Sequence, residues 1–286
     1  MRVDAFPAPG TKAQASQFLI TTGGQAGNAA VAAARLGAAV RYAGPIGSRD
    51  DEVANRIVAT LEHEGIDCRY AVRVPDGLSS VSLIMIDAAG EKMIATRRGT
   101  NLGAVAPDDV RAPVADIDAV LLDNRYPDFV TPIAREAIAR GIPRVLDFDR
   151  AGPLDDPLLK LCTHVIASAD ALRASTGLSD LAAGLEKLAA FYEGFLAVTD
   201  GPNGIDWLER GAIRHMDAFK IDAIDTLGAG DAFHGAFTVA LAETADTAGA
   251  MRFAAAAAAI KCMRFGGLMG AATRAEVDAF LRERAG

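Results

Sequence analysis

The sequence predicts an α/β protein: a doubly wound, mostly parallel sheet flanked by helices, with a small β-sheet lid. Three observations carry this reading. Beyond residue 118, short apolar runs of strand length alternate with amphipathic stretches of helix length, which is the pattern of βαβ units and therefore of a parallel sheet. The first hundred residues instead gather short, partly alternating strands, as a small sheet projecting from a larger body would. The length of 286 residues, 51% hydrophobic and 23% charged, suffices for one large core.

Along the chain, 12–21, 40–44, 68–74, 79–87 and 92–98 read as strands, interrupted by helices over 25–36 and 51–64. Segments 3–22 and 68–98 are assigned to the lid on this basis. In the body a strand at 119–122 leads into a helix at 129–140, a strand at 144–148 into a helix at 156–162, and a further strand runs 164–167. The strand 195–199 precedes 204–209 and 212–215, an antiparallel pair at the sheet edge. Helices near 229–243, 247–264 and 274–284 follow, the first two Ala-rich and so able to pack closely. No repeat, heptad run or low-complexity linker divides the chain, so 1–286 reads as one unit. Sites in such sheets lie outside the carboxyl ends of the strands.

A net charge of −8 repels polyphosphate backbones and argues against nucleic-acid or membrane-surface binding. Aromatic residues at 6% are too sparse for base-stacking platforms. Cys68, Cys162 and Cys262 form neither a disulfide framework nor a CxxC knuckle, which suits a reducing compartment. The longest apolar run, 253–260, is far too short to span a bilayer, and no leader pattern opens the chain. A cytoplasmic protein is expected. There is no phosphate-binding G-x-x-x-x-G-K, no G-x-S-x-G and no dinucleotide G-x-G-x-x-G after a first strand. The histidines His63, His164, His215 and His234 fall at no zinc-binding spacing.

The segment Asp225-Thr226-Leu227-Gly228-Ala229-Gly230-Asp231-Ala232-Phe233 carries the chemistry. It lies between the strand-like 219–224 and a strongly helical run. Two glycines around a small residue at a helix mouth let backbone N–H groups converge on one point, an anion hole. Asp231 stands one residue beyond, where a carboxylate gains nothing from bound phosphate and is better suited to accept a proton from an incoming hydroxyl. A plain Gly-rich helix start with an Asp favoured by the helix dipole is the alternative.

This segment resembles the C-terminal signature of the ribokinase-like (PfkB) carbohydrate kinases. Gly23-Gly24-Gln25-Ala26-Gly27-Asn28, about two hundred residues earlier, resembles the other signature of that family. The resemblance runs almost to the C-terminus. It implies a ribokinase-like body with a β-lid, ATP and Mg2+ as donor and cofactor, and a sugar hydroxyl as acceptor. Asp231 would be the base, and Gly228, Ala229 and Gly230 would stabilise the transferring phosphoryl group. Gly23, Gly24 and Asn28 would hold the sugar; the first two also read simply as a turn before a helix. Thr199, Gly201 and Gly204 match the strand-end turn beneath the nucleotide, and Ala255 falls where the family contacts adenine, though core packing explains an alanine equally well. Asp225 is a candidate ligand for a monovalent cation such as K+, with Mg2+ held mainly through the nucleotide phosphates.

Two departures from the family stand out. Ser168, Asp170 and Ala171 replace the Asn-x-x-Glu that organises magnesium in many relatives, which leaves Ser168 at the nucleotide and Asp170 to act through water or to cap a helix. The segment Phe6-Pro7-Ala8-Pro9-Gly10 also begins only six residues into the chain, which implies that an inner strand of the family's sheet is absent through a late start site. Segments 230–237, 260–262 and 122–126 resemble the ketohexokinase and sulfofructose kinase branch. There Lys12 and Arg125 would meet the acidic group of a sugar, and Thr96 stands where that branch would carry Asn. A small keto- or acidic sugar is the expected acceptor. A nucleoside kinase on the same scaffold and a turnover-impaired sugar-binding protein are the alternatives. The resemblance also implies a homodimer joined through the lids.

Overall fold

In the computed structural model, which describes residues 1–284, the chain order is α1 (Gln25–Arg35), β1 (Arg41–Ile46), α2 (Glu52–His63), β2 (Asp67–Arg73), β3 (Val81–Ile86) and β4 (Lys92–Arg97). There follow β5 (Val120–Asp123), α3 (Pro127–Ala139), β6 (Arg144–Phe148), α4 (Pro157–Leu161), β7 (His164–Ser168), α5 (Ala169–Thr176) and α6 (Leu181–Ala189). The chain continues through β8 (Phe195–Thr199), β9 (Ile205–Glu209), β10 (Ala212–Met216), α7 (Ala229–Thr244), α8 (Thr247–Cys262) and α9 (Arg274–Glu283). The main sheet runs β10-β9-β8-β7-β6-β5. Strands β5 to β8 are parallel, and β9 and β10 turn back antiparallel at one edge.

The inner strands are mostly apolar because both faces are covered. Successive side chains point to opposite faces, so Leu146, Val165, Leu196 and Val198 enter a core with Phe129, Leu158, Leu172 and Leu185 from α3 to α6. Their neighbours Val145, Ile166 and Ala197 enter a second core with Phe233, Phe237 and Met251 from α7 and α8. This is the expected doubly wound arrangement, and β3 and β4 form the expected small antiparallel sheet, pairing Val81 with Arg97 through Ile86 with Lys92.

Several expected elements differ. Segment 12–21 forms no strand: it holds a single bridge, Gln17 to Arg2, and exposes Phe18 and Ile20, since its apolar residues find no ladder to join. Segment 68–74 pairs in parallel with β1 rather than with the small sheet, because β1 and β2 flank α2 as a crossover unit. Segment 219–224 is not a strand; Phe219 packs its ring edge-on against Phe280, 5.1 Å between centroids, and so tethers the approach to α7 to α9. Helices α5 and α6, which the sequence pattern does not predict, are capped at Ser168 and Asp180, each of whose side chains accepts a first-turn N–H. Among the described residues β5 ends the six-stranded ladder, and β1 with β2 forms a separate pair.

Candidate active site

Two helices begin at glycines with left-handed or otherwise positive φ, Gly24 (φ 86°) before α1 and Gly228 (φ 76°) before α7, and neither helix has a side-chain cap. An uncapped N-terminus leaves its first N–H groups aimed outward with a partial positive charge. The helices pack closely because Gly235 lies beneath α1: a methyl group there would collide with the Ala29 carbonyl oxygen. One turn away from that contact, Asn28 Nδ2 donates to Asp231 Oδ2 at 2.5 Å. The two glycine-bearing segments singled out in the sequence therefore meet at one carboxylate.

That carboxylate is held near its ionisation point. Burial pushes the Asp231 pKa up to about 7, the charge of Asp147 pushes the same way, and the Asn28 bond and His234 oppose them. Asp147 itself is buried and held well above the usual carboxylate range, first by burial and then by Asp149 and Asp123. His234, also buried, spans the gap beneath: Nδ1 lies 2.8 Å from the Gly230 carbonyl oxygen and Nε2 3.2 Å from that of Ile166. It thus ties the first turn of α7 to β7. A base with a pKa near neutrality is matched to proton transfer at neutral pH.

The anion hole is narrower than the sequence implied. Ala229 N–H donates to the Thr226 carbonyl at 3.2 Å, closing the turn, so its amide is committed to the backbone. Among the described residues the N–H groups of Gly228 and Gly230 have no such acceptor. A Cβ at Gly230 would meet nothing within 4 Å, so open space lies in front of it. The loop below is fixed by Asp225, whose carboxylate accepts from Leu227 N at 2.8 Å, Gly266 N at 3.0 Å and Gly267 N at 3.1 Å. The Lys261 ammonium, fully buried, donates to the Asp225 carbonyl at 2.5 Å and lies 3.6 Å from its Oδ1. Asp225 is therefore not available as the expected monovalent-cation ligand: an internal ammonium and three amides already occupy it.

On the sheet side, Ser168 and Thr199 end the paired strands β7 and β8 in register. Ser168 Oγ accepts from Ala171 N at 3.2 Å, so it caps α5, and Asp170, whose side chain is fully exposed, does not. Gly201 opens a tight turn with φ 52°, and Gly204 closes it with φ 97° where a Cβ would strike the Met216 carbonyl oxygen. Asp200, immediately before the turn, draws Asn203 Nδ2 (3.0 Å) and Arg173 Nη2 (3.4 Å). Ala255 has a half-buried place against the α7 and α8 core and makes no polar contact. No group of three or more His, Cys, Asp or Glu side chains able to hold a metal occurs among the described residues.

The opposite flank is polar and unsatisfied. Thr22 Oγ1, Gln25 Nε2 and Asn124 Oδ1 are the buried side-chain atoms without a partner among the described residues. Two of them bracket Gly23 and Gly24, and the third follows the carboxyl end of β5. Buried orphans of this kind call for a partner, and a polyhydroxylated molecule supplies one. Gln25, Asn124, Asp147 and His234 escaped the sequence reading as site residues; only their convergence in space marks them. A cleft of about 220 Å³ is lined by Arg125 and Arg150, from the loops after β5 and β6, and by Arg98. A smaller cavity of about 150 Å³ lies at the other end of β8, around Phe195 and Met251, away from this chemistry. Arg125 is thus part of a cleft, whereas Lys12 is exposed on the segment that forms no strand and does not line it.

Comparison with known proteins bears on the family and the fold. The family described as pfkB family carbohydrate kinase matches residues 1–273. The chain is 30% identical over 281 residues to the ribokinase of Bacillus subtilis (strain 168), covering 97% of this chain and 94% of that protein. It is 31% identical over 291 residues to the ATP-dependent ribose-1-phosphate kinase of Halopiger xanaduensis (strain DSM 18323 / JCM 14033 / SH-6), covering 99% and 94%. The crystal structure of a presumptive ribokinase from Agrobacterium tumefaciens matches with a TM-score of 0.93 at 35% identity, over 99% of this chain and 94% of that one. No helix among the described residues is long and apolar enough to cross a membrane.

Proposed function

Since the chain belongs to the pfkB family of carbohydrate kinases, phosphotransferases that act on sugar hydroxyls, we propose that it transfers the γ-phosphoryl group of ATP to a hydroxyl of a pentose-sized sugar, with Asp231 as the general base. The observation that carries this reading is the Asp231 carboxylate, poised near neutrality beside Asn28 and at the open N-terminus of α7. A pentose as acceptor is supported by the names of the two relatives above, and ATP as donor by the name of the second.

In the reaction the sugar hydroxyl passes its proton to Asp231 as its oxygen bonds the γ-phosphorus. The bond from that phosphorus to the β,γ-bridging oxygen breaks, and ADP leaves. The free N–H groups of Gly228 and Gly230 face the charge on the transferring oxygens, where preorganised donors act most strongly. Asn28, Gln25 and Asn124 hold the acceptor, and the turn from Thr199 to Gly204 underlies the nucleotide with Ser168 beside it. A magnesium ion accompanying the nucleotide would supply neutralisation of phosphate charge, and the exposed carboxylates of Asp149 and Asp170, at the carboxyl ends of β6 and β7, are the residues that would hold it.

ADP release measured across ribose, deoxyribose, fructose and adenosine tests the proposal. Sugar-dependent ADP formation that Asp231→Asn abolishes is the expected result. Adenosine as the sole acceptor, or no acceptor at all, would reject it.

A further inference from the structure

We infer that Lys261 is a positioning residue of the anion hole: its buried ammonium, tethered to α8, takes the place that family resemblance gives a free monovalent cation and turns the Thr226 N–H outward beside those of Gly228 and Gly230. The inference rests on the carbohydrate-kinase reading and names a residue that shapes that site without touching the substrate.

Among the described residues Lys261 is the one buried lysine. Its ammonium donates to the Asp225 carbonyl at 2.5 Å and lies 3.6 Å from Asp225 Oδ1, the only cation within ion-pair distance of that carboxylate among those residues. A carbonyl oxygen and a carboxylate oxygen of one residue, both of the kind an alkali cation takes, thus face an ammonium already. Burial pulls the ammonium below its ordinary value and Asp225 holds it up. Against the same burial, the Leu227 amide, Lys261 and the Gly266 and Gly267 amides hold the Asp225 carboxyl below its usual range. Desolvation offsets most of what such a pair gains from its attraction, so net stability is a weak reason for its presence. Fixed geometry is the stronger one.

The segment from Ile224 to Leu227 hangs on the end of α8 and on the turn after it. The Cys262 carbonyl accepts the N–H groups of Ile224 at 2.8 Å and Asp225 at 3.1 Å. Asp225 Oδ2 accepts those of Gly266 at 3.0 Å and Gly267 at 3.1 Å. Both glycines adopt positive φ, 115° and 57°, which aims successive amides at one oxygen. Lys261 adds what these amides cannot: it draws the Asp225 carbonyl inward. A trans peptide is planar, with its N–H opposite its C=O. The Thr226 N–H therefore faces the other way, on the side where Thr226 is exposed.

The loop's donors alternate as a result. Leu227 N–H is committed to Asp225 Oδ1 at 2.8 Å, and Ala229 N–H to the Thr226 carbonyl at 3.2 Å. Before, between and after them, the N–H groups of Thr226, Gly228 and Gly230 have no acceptor among the described residues. Free amides at short intervals along one loop form a cradle for an anion, and donors fixed in advance act most strongly on the charge of a transferring group. Without the ammonium, the Asp225 carbonyl is a buried acceptor left unpartnered, and a peptide that turns to repair this takes the Thr226 N–H with it.

Lys261→Ala and Lys261→Met test this in the full chain, with N-methyl-D-glucamine, potassium and ammonium chlorides compared at one ionic strength. In N-methyl-D-glucamine chloride, Lys261→Ala should melt below wild type, and its kcat should fall by about 10²-fold, the scale of one lost donor, with the sugar KM little changed. Ammonium or potassium, small enough for the vacated space, should raise both the melting temperature and the kcat of Lys261→Ala, as a ligand of the folded state does. Lys261→Met keeps the space filled and should regain neither, and the wild type should respond to neither ion. If Lys261→Ala folds in none of these salts, the double variant Asp225→Asn, Lys261→Met decides, since it removes both charges of the buried pair together. A lowered kcat with the sugar KM kept then upholds the inference, and a wild-type kcat overturns it. A folded Lys261→Ala that neither ion rescues, a rescue of melting without kcat, a loss confined to KM, or a wild type that the same ions stabilise equally also overturns it. Melting needs no turnover. A protein that phosphorylates no sugar while ammonium still restores the Lys261→Ala melt counts against the kinase reading and leaves the tethered cation standing, whereas kinase activity that Lys261→Ala leaves intact counts against this inference alone.

Discussion

Asn28 Nδ2 lies 2.5 Å from Asp231 Oδ2, across 203 residues of sequence, and this bond makes one site of two distant glycine-bearing helix starts. It also sets the base against its surroundings. Burial and Asp147 raise the Asp231 pKa, while the Asn28 bond stabilises the charged form and lowers it.

Removing that bond should therefore shift the pH profile. In Asn28→Ala the acidic limb of kcat, expected near the Asp231 value of about 7 in the wild type, should move to higher pH, and kcat at neutral pH should drop by about tenfold or more. An Asn28→Ala enzyme with an unshifted limb and only a raised KM would show that Asn28 holds sugar without tuning the base.

Asp231→Asn should lower turnover by about 10²–10⁴-fold while preserving the fold. Its stability should change in the opposite sense. A carboxyl whose folded pKa is raised from 3.8 to about 7 binds its proton more tightly when folded, so its contribution is present below pH 3.8 and is lost as pH rises through about 7. An uncharged amide escapes that loss. Thermal melts should show Asp231→Asn more stable than wild type at pH 8, with the gap closing toward pH 5. A variant less stable at pH 8 would mean the carboxylate is well compensated when charged.

The sequence carried the layered architecture and the two helix starts because both are local: apolar runs of strand length, and glycine pairs at helix mouths. Strands β6 and β8 were readable to the residue. What escaped it depends on partners. Residues 12–21 have a strand's composition but no ladder to join, and 68–74 has a strand's pattern but pairs with β1. Lys261 reads as an ordinary helical lysine until α8 brings it under Asp225. Arg98 and Arg150 are single charges at loop positions until β4 and β6 bring them to one cleft, whereas Lys12, equally plausible as a cation, ends on an exposed segment.

Glycines separate two causes of inactivity. Gly230→Ala places a methyl where nothing lies within 4 Å, so the melting temperature should stay within a few degrees while turnover falls, because the space before the Gly230 N–H is filled. Gly235→Ala drives a methyl into the Ala29 carbonyl and should instead destabilise by about 1–3 kcal/mol, with α1 displaced from α7. Wild-type kinetics in Gly230→Ala would remove the anion hole from the mechanism.

Lys261 makes a cation requirement unnecessary at Asp225. Activity should not respond to K+ added from zero to about 100 mM in a tris-buffered assay at constant ionic strength. Lys261→Met should destabilise by about 3–5 kcal/mol, since it strands a buried carboxylate whose pKa the ammonium and three amides hold below the usual range. Specific activation by K+ over Na+ in the wild type would show that a second cation site exists nearby.

The small sheet is the place to look for self-association. One face of the β3 and β4 pair carries Val81, Leu83 and Met93, exposed by 43%, 45% and 45%, beside Arg97, while the other holds the Ser82 and Thr96 hydroxyls in a 2.8 Å bond next to an exposed Ile94. A two-stranded sheet is marginal in water unless an apolar face is covered, and this face has no helix over it. We propose that a second copy covers it, joining the chains through their β3 and β4 sheets and closing the sugar site at the seam between that sheet and the body. Light scattering at micromolar concentration should report twice the 29.7 kDa of one chain. Leu83→Lys, a charge at the centre of the face, should shift that mass toward the monomer and raise the KM for sugar more than that for ATP. A monomeric wild type, or a dimer whose protected amides in hydrogen exchange lie on α8 and α9 and not on β3 and β4, would reject the arrangement.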